Sequence, residues 1–487
     1  MCGSDHTISG DHVTEPGQAL HAQPEGARGW WATVREALRG SRHDYTAGPI
    51  GRAIILLAIP MVMEMVMESI FAVVDVFWVA HLGPNAVATV GLTESMLALV
   101  YTAAMGLSIG VSAMVARRIG EKNPAGAAEA AVQGIALGLT VAAVTGTLGA
   151  IFAPRLLGVM GASPDVIAIG SGYTRVMLGG NAVILLLFLI NATFRGAGDA
   201  AIAMRVLWLA NWINILLGPC LIFGLGPFPE LGVKGAAIAT TIGRGTGVLF
   251  QLYWLMRRDG RVVIHRDQLR LRPAVMRTLL RLSGTGTFQV LVGTASWIGL
   301  VRIISSFGAG AVAGYTIGVR IIVFALLPSW GLANAAATMV GQGLGAGKPD
   351  RAERAVWIAG FYNMVFLGGV GLVFVLLADP IVRLFSTDPA VAPVAAMCLR
   401  IVSFGFPFYA YGMVLTQSFN GAGDTWTPTW LNLCCFWLWE IPLAWVLAVR
   451  MGLGPQGVFL ALTTAFSTLA VVSALLFRRG RWKLRRV

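Results

Sequence analysis

Long apolar segments, separated by short polar connections, run through most of the chain. About 20 consecutive apolar residues let an α-helix cross a lipid bilayer, whereas the strands of a membrane β-barrel are shorter and alternate in polarity. The pattern therefore predicts an all-α polytopic membrane protein. The twelve predicted spans, with ends placed to within several residues, are 53–80, 87–114, 127–151, 166–193, 201–225, 235–256, 276–305, 311–340, 353–377, 392–418, 427–449 and 456–477.

The first span carries three carboxylates, Glu64, Glu68 and Asp75, in an otherwise apolar segment. At about 100° per residue, all three lie within about 40° of one another on one helix face. An ionised acid near the bilayer centre costs roughly 2.5–3.5 kcal/mol. This face is therefore predicted to meet protein or a water-filled cavity, where burial favours the protonated form. The alternative is that one or two of these acids only bind neighbouring helices. Pro60, one turn before Glu64, lacks a backbone N–H and is a predicted hinge.

The basic residues indicate the topology. The formal net charge is +13, and the basic residues gather in the connections after spans 2, 4, 6 and 8 and at the two ends. Arg195 and Arg205 are assigned to the connection after span 4. The other connections carry one basic residue or none, and the connection after span 10, which also carries none, breaks the alternation. Because cytoplasmic loops are enriched in Lys and Arg, both ends of the chain are predicted to be cytoplasmic, which requires an even number of spans. Topology explains the charge better than nucleic-acid binding does.

Composition excludes several function classes. Charged residues make up 12% of the chain, against about 25% in a soluble domain. The five cysteines show no metal or disulfide spacing, and all six histidines fall in the tail or the connections. The segment 343–350 is not a phosphate-binding loop, because Gln342 and Pro349 occupy two of its defining positions. No enzyme, cofactor or metal site is predicted, which leaves transport driven by an ion gradient.

The two halves of the chain repeat. The sequence FRGAGD at 194–199 recurs as FNGAGD at 419–424, an offset of 225 residues that also relates Gly106 to Gly331 and Gly120 to Gly345. A repeat of six spans keeps its orientation in the membrane, so the halves are parallel repeats with a site predicted between them. Channels and membrane enzymes also contain such duplications. The acids do not repeat, because the positions equivalent to Glu64, Glu68 and Asp75 hold Gln289, Gly293 and Leu300. Ion coupling is therefore predicted in the first half.

These patterns divide the chain into five predicted parts. A cytoplasmic tail containing an interfacial helix precedes a first lobe of six helices, and a basic cytoplasmic linker leads to a second lobe of six helices and a basic cytoplasmic end. In that order the parts are 1–44, 45–256, 257–275, 276–477 and 478–487.

Motifs throughout both halves resemble one transporter family. They include VVD at 73–75, HLG at 81–83, VARRIGEKNP at 115–124, FRGAGD at 194–199, SFGAGAVAGYTIGVRI at 306–321 and VGQGLGAGKPDRA at 340–352. Together and in order, they resemble the multidrug and toxic compound extrusion (MATE) family, within the multidrug/oligosaccharidyl-lipid/polysaccharide flippase superfamily. The resemblance implies twelve helices in two six-helix lobes, related by a pseudo-two-fold axis and forming a V-shaped cleft. It also implies export of organic, often cationic, drugs in exchange for protons or sodium.

The resemblance also implies residue roles. Asp75 matches the family's ion-coupling acid in the first helix, and Asn214 and Thr240 match polar residues of the fifth and sixth helices. Some members carry an aspartate four residues after that asparagine. Gly218 takes its place here, which favours protons over sodium. Gln289 and Tyr409 stand where other members carry second-lobe acids.

Four residues are candidates for the substrate cleft: Glu94, Gln289, Tyr409 and Glu440. For Glu94 and Glu440, the alternative is an ordinary hydrogen bond between helices. Asp199 and Asp424, in the repeated GAGD turns, are interpreted as loop caps or gate pairs.

The predicted function is that of a secondary antiporter exporting drugs or toxins by rocking of the lobes, with a first-lobe acid taking up the proton. The proton gradient, or alternatively sodium, would drive it, and no cofactor is expected. A lipid-linked sugar or polysaccharide flippase of the same superfamily is the alternative. The expected partners are small-molecule substrates and the lipid bilayer. The protein is expected to be a monomer in a bacterial cell membrane.

Overall fold

The structure, a computed structural model, describes residues 27–40, 43–257 and 260–485. Most of the predicted cytoplasmic tail, residues 1–26, lies outside the described residues. A helix at Ala27–Arg39, here called the N-terminal helix, precedes twelve long helices. These are α1 (Ile50–Ala80), α2 (Pro84–Gly120), α3 (Pro124–Val159), α4 (Pro164–Ala197), α5 (Ala200–Phe223), α6 (Val233–Met256), α7 (Pro273–Ser305), α8 (Ala309–Gly345), α9 (Pro349–Arg383), α10 (Ala392–Phe404 and Phe406–Gly421), α11 (Trp426–Arg450) and α12 (Pro455–Arg478).

The predicted number of helices is confirmed. By length and composition, ten helices in the described part of the chain can cross a membrane, and α10 is an eleventh if its two pieces, which meet at 61°, form one span. The twelfth, α6, is less apolar because it carries Lys234 and Arg244, yet its 24 residues extend about 36 Å. Arg195 and Arg205, predicted to lie in a connection, instead lie within α4 and α5. That assignment was wrong because α4 continues to Ala197 and α5 begins at Ala200, so only residues 198 and 199 lie between the two helices.

Proline and glycine set many of the helix ends. Proline opens α2, α3, α7, α9 and α12, where its missing N–H has no intrahelical partner to lose. The turns before α2 and α8 depend on Gly83 and Gly308, whose φ angles of 92° and 96° exclude most side chains. These two glycines are related by the 225-residue offset, so the repeat extends to the connections.

The helices form two six-helix lobes, α1–α6 and α7–α12. Across the interface α1 packs on α8, α2 packs on α7, and α2 also packs on α8. A Cβ added at Gly106 of α2 would lie 2.5 Å from Cα of Thr287, and one at Gly331 of α8 would lie 2.8 Å from the backbone nitrogen of Val62. Adding 225 to residues 106 and 62 gives 331 and 287, so the two close approaches are related by the pseudo-two-fold axis.

Helix α1 belongs to both lobes. A cluster of buried apolar side chains fills each lobe. Ile54, Leu57 and Met61, in the first half of α1, belong to the cluster of the second lobe. Val79, at the other end of α1, belongs to the cluster of the first lobe. A shift of α1 would therefore change the packing of the apolar cluster in both lobes.

The lobes are closed at one end, here called the basic end, which carries the α2–α3 and α8–α9 connections. Gly120 and Gly345 allow close approach there, since an added Cβ would lie 2.1 Å from the carbonyl oxygen of Gln342 and 2.2 Å from that of Arg117. The Gln342 side chain also donates a 2.9 Å hydrogen bond to the carbonyl of Gly196. At the opposite end, here called the open end, Glu94 of the first lobe and Arg320 of the second lobe are both exposed.

The segment before α1 also joins the lobes at the basic end. Lys348 donates to the carbonyl of Thr46 at 2.9 Å, and the Arg351 guanidinium donates to the carbonyls of Ala47 and Gly48 at 2.7 and 2.8 Å. Asp44 accepts hydrogen bonds from the hydroxyl and backbone N–H of Thr46, which lower the pKa of Asp44. These contacts hold the start of α1 against the second lobe.

Candidate functional site

A cavity of about 290 Å³ lies between the lobes. The first lobe supplies all of its charged lining, from Glu64, Glu68, Arg195 and Arg244. The second lobe supplies neutral side chains. Those that carry hydrogen-bonding groups are Gln289, Trp330, Asn334, Gln417 and Asn420. Apolar and aromatic walls surrounding a few polar groups are typical of small-molecule sites.

Glu64 is held by a buried arginine. Its Oε1 lies 2.7 Å from the guanidinium of Arg195 and accepts a hydrogen bond from Asn191 at 3.1 Å. Glu64 is only 2% exposed, and its Oε2 has no hydrogen-bond partner among the described residues. A permanent cation at this distance favours the ionised carboxylate. This ion pair is the interhelical contact that the structural alternative for Glu64 expects, and a coupling role for Glu64 stays a prediction.

Glu68 faces a second arginine, which the sequence analysis missed. Arg244 lies 3.6 Å from Glu68 and donates a 2.7 Å hydrogen bond to the hydroxyl of Tyr101. Its guanidinium also lies 5.6 Å from the ring centre of Phe71, within cation–π range. Asn211 donates to the other Glu68 oxygen at 3.3 Å. The signal for Arg244 was present in the sequence, as an arginine in the middle of an apolar span.

Asp75 differs from the other two acids. It lies two helical turns beyond Glu68, toward the open end, and its side chain is partly buried. No described residue forms a hydrogen bond or an ion pair with it. The charged groups whose fields act on Asp75 are Glu94, of like sign, and Arg244. Of the predicted acid face, Asp75 is thus the member without a direct partner.

Asn214 and Thr240, predicted to assist ion coupling, are brought together. The Asn214 amide donates a 2.7 Å hydrogen bond to the Thr240 hydroxyl, and both side chains are buried. Among the described residues, no three acids, histidines or cysteines are grouped as metal ligands. The pair therefore presents neutral oxygens without a carboxylate cluster around them.

Of the four predicted cleft residues, Gln289 lines this cavity. Tyr409 lies inside the second lobe, where its ring stacks on Phe466 at 4.1 Å. Glu440 is 1% exposed within that lobe and leaves Oε1 without a described partner, and Glu94 lies on the open half of α2. Tyr409 and Glu440 lie outside this cavity because the second lobe packs around them, and Glu94 lies nearer the open end of α2.

Asn420, which sequence reasoning missed, lines the cavity at the position that the repeat relates to Arg195. Comparing the two halves at that position would have found it.

Two further predictions concern backbone and turns. Helix α1 is continuous through Pro60, so the hinge remains a prediction. The GAGD aspartates form ion pairs, Asp199 with Arg261 at 3.2 Å and Asp424 with Arg485 at 3.1 Å. Each arginine follows the sixth helix of its own lobe, so the two pairs occupy equivalent places in the repeat.

Comparisons with known proteins agree with this architecture. The family model MatE matches residues 60–220 and 287–446, one stretch in each half. A probable multidrug resistance protein, NorM, of Thermotoga maritima is 25% identical over 450 residues, covering 90% of this chain and 94% of that protein. A FAD transporter of Shewanella oneidensis is 26% identical over 406 residues, covering 83% of this chain and 89% of that protein.

Among solved structures, the chain is similar to one described as the outward-facing conformation of a multidrug resistance MATE family transporter of the MOP superfamily. The TM-score is 0.84 at 27% identity, and the match covers 89% of this chain and 96% of that one. The members of this family are multi-pass membrane transporters rather than enzymes, and the relatives named as multidrug resistance proteins support drug or toxin export at the level of the family. The family match spans both lobes and the cavity between them, and the chain therefore belongs to the multidrug and toxic compound extrusion family.

Proposed function

We propose that this protein is a secondary antiporter that exports organic, amphipathic and often cationic drugs or toxins in exchange for protons. The observation that carries the proposal is the contrast among the α1 acids. Glu64 and Glu68 each face an arginine, whereas Asp75 has no described hydrogen-bond or ion-pair partner. A carboxyl group without a fixed cation can gain and lose a proton without leaving a buried charge behind.

The position of Asp75 links protonation to the lobes. With the basic end closed and the other end open, a proton from the open side reaches Asp75 before it reaches the cavity. Neutralising Asp75 removes a charge from α1, whose two ends are packed in different lobes. Reclosing the open side then buries a neutral group instead of an ion, and Pro60 gives α1 a place to bend. Protons and substrate need only bind the two states with different affinities.

The cavity suits an amphipathic substrate. Aromatic and thioether side chains, Tyr101, Phe188, Trp330, Met65 and Met105, form much of its wall. The side-chain oxygens of Gln289 and Asn420 are buried without described hydrogen-bond partners, so they are free to accept from an ammonium or amide group. The two glutamates and two arginines of the wall form oppositely charged pairs, so the net charge of the wall is close to zero.

The oxygen ligands that these side chains offer favour a proton over sodium as the coupling ion. A hard cation takes several oxygen ligands, whereas a proton needs one carboxylate. Asn214 and Thr240 are hydrogen-bonded to each other, and Gly218 supplies no side-chain oxygen. Asp75 is therefore left as the one acid of α1 without a direct partner among the described residues.

Transport by the purified protein in liposomes tests the coupling. A fluorescent organic cation is followed while either a pH gradient or a sodium gradient is imposed, each in the absence of the other. We expect the pH gradient alone to drive uphill movement. Movement driven by sodium alone at equal pH on both sides would contradict proton coupling, and movement that only runs downhill would contradict antiport.

A second function, transport of an aromatic organic anion, is favoured by Arg195 and Arg244 in the cavity wall and by the similarity to a protein named as a FAD transporter. Both arginines already face glutamates, so the cavity has no unpaired cation for a phosphate or pyrophosphate. This pairing argues against the second function and equally against a lipid-linked sugar flippase. Competition in the same liposomes separates the two. We expect a flavin nucleotide to leave cation transport unchanged, whereas counterflow of the nucleotide itself would establish the second function.

The remaining proposals concern location. We place the protein as a monomer in a bacterial cell membrane with the basic end, and both ends of the chain, in the cytoplasm. The excess of Arg and Lys at that end supports this orientation.

A further inference from the structure

A second cavity, of about 740 Å³, lies on the outer side of the second lobe at the basic end. Helices α11 and α12 and the short turn Arg481–Leu484 enclose it. Four indole rings and three guanidinium groups dominate its lining: Trp426, Trp430, Trp439 and Trp482, with Arg479, Arg481 and Arg485. We call this cavity the C-lobe groove.

The turn that forms one wall of the groove is firmly attached. Trp482 is fully buried, stacks on Phe477 with ring centres 4.5 Å apart, and donates a 2.9 Å hydrogen bond from its indole to the Phe477 carbonyl. Lys483 lies 2.6 Å from Glu353 and 3.0 Å from Asp350, and these hydrogen bonds raise the pKa of Lys483. The arginines on either side of this turn therefore project from a fixed backbone.

The groove has excess positive charge. Arg485 lies 3.1 Å from Asp424, whose side chain is buried, so this pair is neutral. Within the described residues, neither Arg479 nor Arg481 has an acidic partner. Two exposed cations thus remain at one end of the groove.

The rest of the groove is apolar. The indoles of Trp426, Trp430 and Trp439 are 44%, 58% and 44% exposed, and Leu431 and Leu476 continue the wall along α11 and α12. Tryptophan is enriched where a membrane protein meets the headgroup region. Arginines at one end and an apolar wall leading away from them match the two parts of an anionic phospholipid.

The first lobe shows what the equivalent surface holds. The repeat relates Trp426 and Trp430 to Ala201 and Arg205. Arg205 donates to the carbonyls of Leu38 and Arg39 at 2.9 and 2.7 Å, so the N-terminal helix is fastened over that surface. In the second lobe, no described segment takes the corresponding place.

We propose that the C-lobe groove binds an anionic phospholipid. Its phosphate lies against Arg479 and Arg481, and an acyl chain lies along Trp430 and Leu476. A phosphate oxygen accepts charge-assisted hydrogen bonds from guanidinium groups in a geometry that arginine favours.

Native mass spectrometry of the full-length protein tests this. The protein is released from detergent with either phosphatidylglycerol or phosphatidylcholine of identical acyl chains, and retained lipid is counted. We expect wild type to retain the anionic lipid preferentially. In Arg479→Gln/Arg481→Gln the affinity should fall about 30-fold, as expected for two arginines near an anionic headgroup. The matched control is Arg277→Gln/Arg281→Gln, which removes the same charge from exposed positions at the start of α7 and should keep the preference.

Two additional arms identify the source of the ligand. Millimolar inorganic phosphate should not displace the lipid, because it lacks the acyl chain, and Trp430→Ala should weaken retention of the lipid. Equal retention of the two lipids by wild type, or equal loss in both double variants, would overturn the proposal. So would a preference that appears only when Asp5, Asp11, Glu15 and Glu25 are replaced by their amides, since the acidic first 26 residues would then be the occupant.

Discussion

The two lobes place different chemistry at equivalent positions of one cavity. In the first lobe Glu64 and Arg195 form a buried ion pair at 2.7 Å. The repeat relates them to Gln289 and Asn420, which line the opposite wall and carry no charge. The same backbone arrangement thus holds an ion pair on one side and two amides on the other. The comparison supports the proposal that ions are coupled in the first lobe, because the charged lining of the cavity lies there and the second lobe contributes neutral side chains.

A similar contrast separates helix α6 of the first lobe from helix α12 of the second lobe. Toward the end of the chain the repeat offset becomes 222, which relates Arg244 of α6 to Phe466 of α12. Arg244 faces Glu68 and Tyr101, whereas Phe466 stacks on Tyr409. The second lobe thus has aromatic packing where the first lobe has an ionic network.

Replacing Asp75 should have the largest effect. Asp75→Asn removes the unpaired carboxyl of the first lobe, and we expect proton-driven export in liposomes to fall to the level of empty vesicles. Asp75→Glu, which keeps a titratable group on a longer side chain, should retain measurable export. Undiminished export by Asp75→Asn, with normal amounts of protein in the membrane, would remove the proposed difference between the lobes.

Replacing Glu64 and Arg195 by the amide residues found at the equivalent positions of the second lobe tests how much the ion pair contributes to stability. Glu64→Gln leaves Arg195 without its anion, and we expect the free energy of unfolding to fall by about 3 kcal/mol. The double variant Glu64→Gln/Arg195→Asn reproduces the Gln289 and Asn420 pair and should recover most of that loss. Thermal melting in detergent measures both. If the double variant loses as much free energy of unfolding as the two single variants do together, the two side chains do not act as a pair.

Gly120 and Gly345, which the 225-residue offset relates, test whether the two lobes contribute equally to closing the basic end. Gly120→Ala and Gly345→Ala each place a methyl group against a carbonyl of the other lobe, which should destabilise the closed end by about 1–3 kcal/mol. Spin labels at positions 122 and 348 should then move apart in both variants. Gly91→Ala, at a site with open space around it, is the control and should leave the distance unchanged. A shift in only one variant would show that closure is asymmetric.

The smallest effect is expected at the C-terminal turn. Lys483→Gln removes a surface ion pair with Glu353 and should cost less than about 1 kcal/mol. Because the pKa of Lys483 is raised in the folded protein, this stabilisation is fully present below the ordinary lysine pKa and is lost as pH rises through the raised value. Unfolding measured at rising alkaline pH should therefore bring wild type and variant together. If the difference in free energy of unfolding between wild type and Lys483→Gln stayed constant as pH rises, the ion pair of Lys483 would not be its source.

The amino-acid sequence by itself determined the helices and their repeat. Twelve apolar segments predicted twelve helices, with ends that differ from the observed ones by at most eight residues, because burying a backbone in lipid leaves few alternatives to helices. The 225-residue offset, read from motifs such as the GAGD turns, relates Gly106 to Gly331 and Gly120 to Gly345, and these pairs make equivalent contacts across the interface. The acid face of α1 was likewise visible, since helical periodicity alone places Glu64, Glu68 and Asp75 together.

Only the tertiary structure decided which of those acids has a partner. Arg195 and Arg244 lie more than 100 residues from Glu64 and Glu68 in the chain, and neither periodicity nor composition shows that α4 and α6 bring them to α1. The same holds for Tyr409 and Glu440, which the close packing of the second lobe places outside the cavity. Helix formation depends on neighbours within a few residues, so the sequence reports it directly. The pairing of charges depends on how helices pack, and packing joins residues that the sequence leaves far apart.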